Sequence, residues 1–267
     1  MKTFAALTGL VFLLFCSVPV SAQTGKTETR VLESKKLMVC IWPDYYGITY
    51  RNPKTLQLSG IDIDLAHEFA RDIGAGVKPV FVDSSFSKLI GDVTEGKCDV
   101  AMFAIGITDS RAEKLRFTQP TLRSDIYAIT TKNSRRIKEW ADIDRSGVVV
   151  AVAKGTYHET VMRDKLKNAT LLVADTPFAR EQEVESRRAD VFMTDYPYSQ
   201  RMLALTDWAR LLSSPVPYHL TSYAYAVKPG DAQWHARVER FVRDIKRDGR
   251  LMTAARKHKL QEIVVIK

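Results

Sequence analysis

The feature that most restricts this chain is an order of hydrophobic periods that occurs twice. Residues 37–42 form a short apolar, β-branched run, the mark of a buried strand. In residues 61–73 the period changes, with Leu65, Phe69 and Ile73 recurring every four residues beside Ala66 and Ala70, which is one face of a helix closed by Gly74-Ala-Gly76. Residues 77–82 read as strand, 86–94 as a helix with Leu89, Ile90 and Val93 inward, and 99–107 as a third strand. The second block repeats this grammar: strand at 147–153, a helix through Val161 to Leu166, strand at 171–174, helix at 178–188, strand at 190–194. Strands alternating with helices in this way predict parallel sheets with crossover helices. The chain ends in a strand at 223–227 and helices near 232–248 and 251–259.

Residues 1–22 are predicted to be a cleaved secretory signal. Lys2 precedes an apolar run from Phe4 to Phe15, and Val20-Ser21-Ala22 offers small residues where a signal peptidase cuts. The run falls short of the roughly 20 residues that span a bilayer, and Pro19 closes it. Cys16 follows the bulky Phe15, which disfavours a lipoprotein site. Cleavage would remove one Lys and no acid from 40 Lys+Arg and 31 Asp+Glu, leaving a formal +8. These charges are scattered among nearly as many acids, so no nucleic acid or membrane partner is expected. The full sequence, with 45% hydrophobic and 27% charged content, has the composition of a folded globular chain.

Cys40 and Cys98 remain after cleavage. An oxidising compartment permits their pairing, and the pattern leaves it open. The five histidines lie far apart without ligand spacing, so no metal and no cofactor is expected.

In open sheets of this kind ligands sit beyond the carboxyl ends of the strands. The loops to inspect are therefore 42–47, 83–86, 106–111, 154–157 and 195 onward. Arg111, after the turn that follows Ala104, Gly106 and Thr108, places a planar fork suited to a carboxylate at the sheet's mouth, where a surface salt bridge is the plainer use. Gly155-Thr156, between strand and helix, could offer backbone N–H groups to an anion or serve only as turn and cap. Asp195 follows the apolar Val191-Phe192-Met193 and is either a cation's partner or an N-cap for the next helix.

Together these segments resemble the family 3 extracellular solute-binding proteins, the periplasmic receptors of polar amino-acid ABC importers. The resemblance runs from about 32 to 259. Its markers are Ser59-Gly-Ile-Asp-Ile-Asp-Leu-Ala66, Phe86-Ser-Lys-Leu-Ile90, Cys98-Asp-Val-Ala-Met with Thr108-Asp-Ser-Arg111, Phe117-Thr-Gln-Pro120, Val152-Ala-Lys-Gly-Thr156 and Ala189-Asp-Val-Phe-Met-Thr-Asp195. It implies a two-lobed, type II periplasmic binding protein-like α/β fold, each lobe a mainly parallel sheet flanked by helices. Lobe one would comprise residues 23–122 and 223–267, lobe two 123–222, with the ligand in the cleft between them. By the same resemblance Arg111 clamps an α-carboxylate with help from the backbone near Thr156 and Tyr157, Asp195 takes the α-ammonium, and Trp42, Tyr45 and Phe86 line the lobe-one wall. The implied protein is a monomeric periplasmic receptor that closes over an amino acid or small carboxylate and delivers it to a membrane permease.

Gly106 stands where the family often carries Ser or Thr, so the carboxylate site is expected to lack one donor. The bulky Trp42 points to a flat, aromatic or small ligand. The chain also resembles cyclohexadienyl (arogenate/prephenate) dehydratases, but Tyr198 stands where those enzymes have a catalytic Glu, and a phenol with pKa near 10 is a poor general acid. His158 lies near the expected cleft, where most such histidines contact solvent. No nucleophile elbow, Walker loop or dinucleotide fingerprint is present. The receptor is the expected function and the dehydratase its alternative, with a ligand-sensing receptor subunit as a third reading.

Overall fold

The computed structural model describes residues 25–267; the expected signal segment lies outside them. After α1 (Lys26–Ser34), strand β1 (Lys36–Ile41) leads through a small meander of β2 (Asp44–Tyr45), β3 (Thr49–Arg51) and β4 (Leu58–Ser59) into α2 (Ile61–Ile73). Then follow β5 (Lys78–Asp83), α3 (Leu89–Thr94), β6 (Val100–Gly106), the single turn α4 (Asp109–Ala112), β7 (Arg116–Phe117) and β8 (Leu122–Ser124). The next stretch holds β9 (Tyr127–Thr131), β10 (Val149–Ala153), α5 (Tyr157–Lys165), β11 (Thr170–Ala174), α6 (Pro177–Glu185), β12 (Val191–Thr194), α7 (Tyr196–Leu205) and β13 (Ala209–Leu212). Strand β14 (Thr221–Val227) returns, and α8 (Ala232–Arg247) and α9 (Arg250–Lys257) close the chain.

Beside the three-stranded meander, two larger sheets are built on the same plan. One has the order β5-β1-β6-β14-β7, with β8 also on β14; the other has β11-β10-β12-β9-β13. In each, three neighbouring strands pair in parallel (β5, β1, β6 and β11, β10, β12), while β14 and β9 are antiparallel to every strand they pair with. The expectation of mainly parallel sheets holds, with one strand reversed in each, β14 and β9. The cause is that the chain crosses between sheets after β8 and again before β14, so β9 and β14 enter their sheets from the opposite direction. Asp125 clasps the two crossings, accepting from the backbone N–H of Tyr218 (2.9 Å) and His219 (2.7 Å).

The predicted helical face of α2 is buried at Leu65, Phe69 and Ile73, and α8 covers it, with Phe69 5.6 Å from Trp234 and 4.7 Å from Phe241 between ring centroids. Every residue of β6 is buried. The helix expected from Phe86 begins only at Leu89, because residues 85–88 form a turn in which Lys88 N–H donates to the Ser85 carbonyl. Gly60 explains its place in the Ser-Gly-Ile-Asp motif. Its φ is +134°, and an added Cβ would stand 2.1 Å from the Ile48 carbonyl oxygen, so no other residue fits.

Asp62, in the first turn of α2, is buried and accepts from Ala104 N–H (3.0 Å) and the Tyr225 hydroxyl (2.9 Å), tying α2 to β6 and β14. Burial raises its pKa to about 6, against those two hydrogen bonds. Between the unfolded value of about 4 and this one the folded state binds the extra proton. Stability from this group is therefore full below pH 4 and falls as pH rises to 6, by about 3 kcal/mol in all. In Asp62→Asn the amide oxygen can accept from Ala104 and the amide nitrogen can donate to Tyr225, and the pH term disappears. Urea unfolding at pH 4 and pH 7 should thus show the variant gaining on the parent by about this amount; a difference that does not move with pH would refute the raised pKa.

Candidate functional site

The carboxyl ends of β1 and β6 face those of β10 and β12, and side chains from both sheets enclose a cavity of about 20 Å³, room for roughly one water. From the first sheet come Trp42, Tyr45, Phe86 and Ala104; from the second come Thr156, Tyr157, His158, Pro177, Arg180, Thr194, Asp195 and Tyr198. Trp42 packs against Tyr45 (5.0 Å) and Phe86 (5.4 Å), and across the cleft its ring lies within 9° of parallel to Tyr198 at 6.1 Å. A wider groove of about 580 Å³ adjoins the cavity and shares Trp42, Phe86, Thr156, Pro177 and Tyr198 with it.

Arg111 is 5% exposed. Thr108 caps α4 and accepts from Arg111 N–H, which orients the side chain back over the strand end. Its Nη1 donates to the Gly106 carbonyl (2.8 Å) and its Nη2 to the Gly155 carbonyl (3.0 Å), one on each sheet. The guanidinium also lies 5.7 Å from the Phe86 ring centre. Burial lowers its pKa to about 10, so it stays charged at neutral pH. A guanidinium has five N–H donors, and those not engaged here can take a carboxylate.

Asp195 is 2% exposed and accepts from Tyr45 Oη on the first sheet, Tyr223 Oη on β14 (2.9 Å) and Tyr198 N–H (3.1 Å). The last bond makes it the N-cap of α7, so the plain reading of this residue holds alongside any other. Burial raises its pKa while the three donors oppose the shift. Tyr157 Oη lies 3.1 Å from Tyr223 Oη, joining the cluster.

Of the eleven residues singled out in the sequence, Trp42, Tyr45, Phe86, Ala104, Thr156, Tyr157 and Asp195 form the cavity wall, whereas Gly106, Thr108, Arg111 and Gly155 stand beside it. Two expectations need correction. The amides of the Gly155-Thr156 turn are not open to an anion: Gly155 N–H donates to the Glu159 carboxylate (2.8 Å) and Thr156 N–H to the Ala153 carbonyl (3.3 Å). What Gly155 supplies is closeness, since its backbone (φ +75°) lies where an added Cβ would be 2.7 Å from Ser87 Cα of the opposite sheet. His158 does not contact solvent either; it is 5% exposed, with its ring 4.0 Å from that of Tyr157.

At Gly106 an added Cβ would meet Thr221 Cγ2 at 3.0 Å and Tyr157 Cδ1 at 3.1 Å, so the Tyr157 ring fills the space a Ser or Thr would use. Tyr198 Oη donates to the Glu181 carboxylate, and burial raises its pKa further above 10. Arg180 and Tyr223 escaped the sequence reading. Arg180 reads as one more charged residue on a helix, and Tyr223 as one hydrophobe in a strand; only the facing of α6 and β14 brings them here. Among the described residues no group of His, Cys, Asp and Glu is placed to hold a metal ion.

Two like-built α/β sheets with an enclosed polar and aromatic cavity between their strand ends define a type II periplasmic binding fold. The model of the bacterial extracellular solute-binding proteins, family 3, matches residues 37–261, and the chain belongs to that family. It is similar to the cyclohexadienyl dehydratase of Pseudomonas aeruginosa, 28% identical over 239 residues that span 89% of this chain and 87% of that protein. It is also similar to the ABC transporter glutamine-binding protein of Bacillus subtilis, 24% identical over 257 residues, 92% and 91% of the two chains. Among solved structures, an ancestral amino acid-binding protein, a precursor of cyclohexadienyl dehydratase, matches with TM-score 0.78 and 27% identity over 86% of this chain and 98% of its own. A Streptococcus pneumoniae substrate-binding protein bound to L-arginine shares the fold at TM-score 0.77 and 22% identity, covering 89% and 100%.

Proposed function

We propose that this chain is a periplasmic receptor, exported by cleavage of residues 1–22, that captures an amino acid or related small carboxylate and delivers it as a monomer to an ABC permease. Residues 23–122 with 223–267 act as one lobe and 123–222 as the other. The observation that carries this reading is that both sheets wall one cavity, with a cation at Arg111 and an anion at Asp195 beside it. A ligand that touches both walls favours the closed form over the open one, which is the difference in affinity that drives lobe closure.

In this mechanism opening separates Tyr45 from Asp195, and an entering α-ammonium takes the place of the Tyr45 hydroxyl. Arg111 takes the carboxylate. Asp195→Asn should therefore weaken an α-amino acid about tenfold or more, since a hydrogen bond between charged groups is lost, yet weaken its deaminated analogue by less than threefold. Calorimetric titration of both ligands checks this; equal losses would remove the ammonium role.

The likeness to the Pseudomonas aeruginosa enzyme gives the dehydratase a place as second reading. Against it stands Tyr198, whose hydroxyl is held by Glu181 and whose raised pKa suits neither acid nor base work. The deciding experiment is a thermal-shift screen of the purified protein against amino acids, small carboxylates and prephenate. A stabilising amino acid recovered unchanged supports the receptor. Conversion of prephenate to phenylpyruvate would make the protein an enzyme and end that proposal.

A further inference from the structure

One cation in the cavity wall has no use in the mechanism above. Arg180, in the first turn of α6, is 2% exposed. Its Nη1 donates to the Met193 carbonyl (2.8 Å), and its guanidinium lies 4.4 Å from the Phe192 ring centre and 4.7 Å from that of Tyr198. Stacking covers the faces of the group but leaves its in-plane donors, and Nε and Nη2 are buried with no hydrogen bond of full geometry, although the neighbouring Tyr198 hydroxyl favours the charge. Buried orphan donors are rare in native proteins and each costs about 1–3 kcal/mol. His158 stands in the same wall; its ring nitrogens are buried and make no hydrogen bond of full geometry, though the Thr194 backbone favours its charged form.

Among the described residues no carboxylate is hydrogen-bonded to this guanidinium, although Glu181 and Asp195 lie near enough to favour its charge. Asp195 is occupied by three other donors. Glu181, the next residue on α6, is held by the Tyr198 hydroxyl and by Arg201 at 2.5 Å. Burial, and then the charge of Arg180, push the His158 pKa well below its ordinary value. The imidazole is thus neutral near pH 7 and offers one N–H beside the fork.

We propose that Arg180 and His158 form a second anion subsite, so that the ligand carries two anionic groups, one held at Arg111 and the other here. Acidic amino acids and small dicarboxylates are that class. The inference rests on the cavity being the ligand site. The charge balance supports it: two guanidiniums and one carboxylate border the cavity, and an acidic amino acid, with two carboxylates and one ammonium, complements all three. A neutral amino acid leaves a buried cation unpaired, a strong penalty against it.

Shape-matched pairs that differ in the second charge test this: L-glutamate against L-glutamine, L-aspartate against L-asparagine, and glutarate against valerate, titrated calorimetrically into the purified protein. The acidic member of at least one pair should bind at least tenfold more tightly. Arg180→Met should bring that preference within about threefold, the acidic partner losing affinity and the neutral one keeping or gaining it, a change that a merely structural arginine would not make. A neutral member that binds as well as the acidic one, in every pair that binds, overturns the subsite and leaves the receptor standing. An unchanged preference in Arg180→Met overturns it as well. Should that variant not fold, His158→Leu must reduce the acidic preference at least threefold, and no reduction counts against the proposal. Silence of all six compounds, with another amino acid stabilising the protein, refutes the subsite alone; silence with prephenate turnover refutes the receptor too.

Discussion

Arg111→Ala is expected to lower ligand affinity about a thousandfold, close to 4 kcal/mol. The side chain is 5% exposed and joins the Gly106 carbonyl of one sheet to the Gly155 carbonyl of the other. Its removal takes away two effects together: the buried cation that would face a carboxylate, and the bridge this fork makes between the two strand ends. Losing one partner of a desolvated charge pair costs roughly 2–5 kcal/mol, much of it because the other charge is left buried alone. The fold should survive, since Arg111 lies on the single turn α4 and bonds two backbone carbonyls rather than filling the core, and far-ultraviolet circular dichroism should match the parent. Titration of any ligand that stabilises the parent provides the measurement. Affinity within threefold of the parent would remove Arg111 from the site.

The second large effect concerns stability rather than binding. Cys40 on β1 and Cys98, two residues before β6, are joined, with 5.5 Å between their Cα atoms and 58 residues of separation. Opening a loop of that size returns entropy to the unfolded chain worth about 4 kcal/mol on the chain-entropy model. For a chain of this length that corresponds to a fall in melting temperature of roughly 10 °C. Reduction, or the double change Cys40→Ala with Cys98→Ala, should therefore shift the urea midpoint strongly and leave ligand preference unaltered, because neither sulfur lies in the cavity wall. Two free thiols by titration of the unreduced, unfolded protein would contradict the bridge outright.

The sequence disclosed whatever depends on local period and on single backbone positions. The face of α2, the buried run of β6, the strand at Val149–Ala153 and the glycine before Ile61 are all set by neighbours within a few residues. The alternation of strand and helix then limits the fold to sheets with crossovers, and the strand ends give the loops where a site must lie. Seven of the eleven residues named from those loops and from the family resemblance line the cavity. The meander at β2 to β4 and the strands β9 and β13 were not legible, since each is too short or too mixed to carry a period and forms only because a partner strand is in place.

Tertiary structure alone decided how those residues are used. The N–H groups of the Gly155 turn, free by sequence, are taken by Glu159 and Ala153 once α5 is folded. Tyr45 and Asp195 are 150 residues apart and meet only across the closed cleft. Arg180 looks in sequence like a solvated helix charge, yet the docking of α6 against β12 buries it between two rings with donors to spare. The physical reason is common to all three. Periodicity reports which side of an element is apolar, but the partner of a polar atom is fixed by which elements approach it, and that is a property of the folded whole.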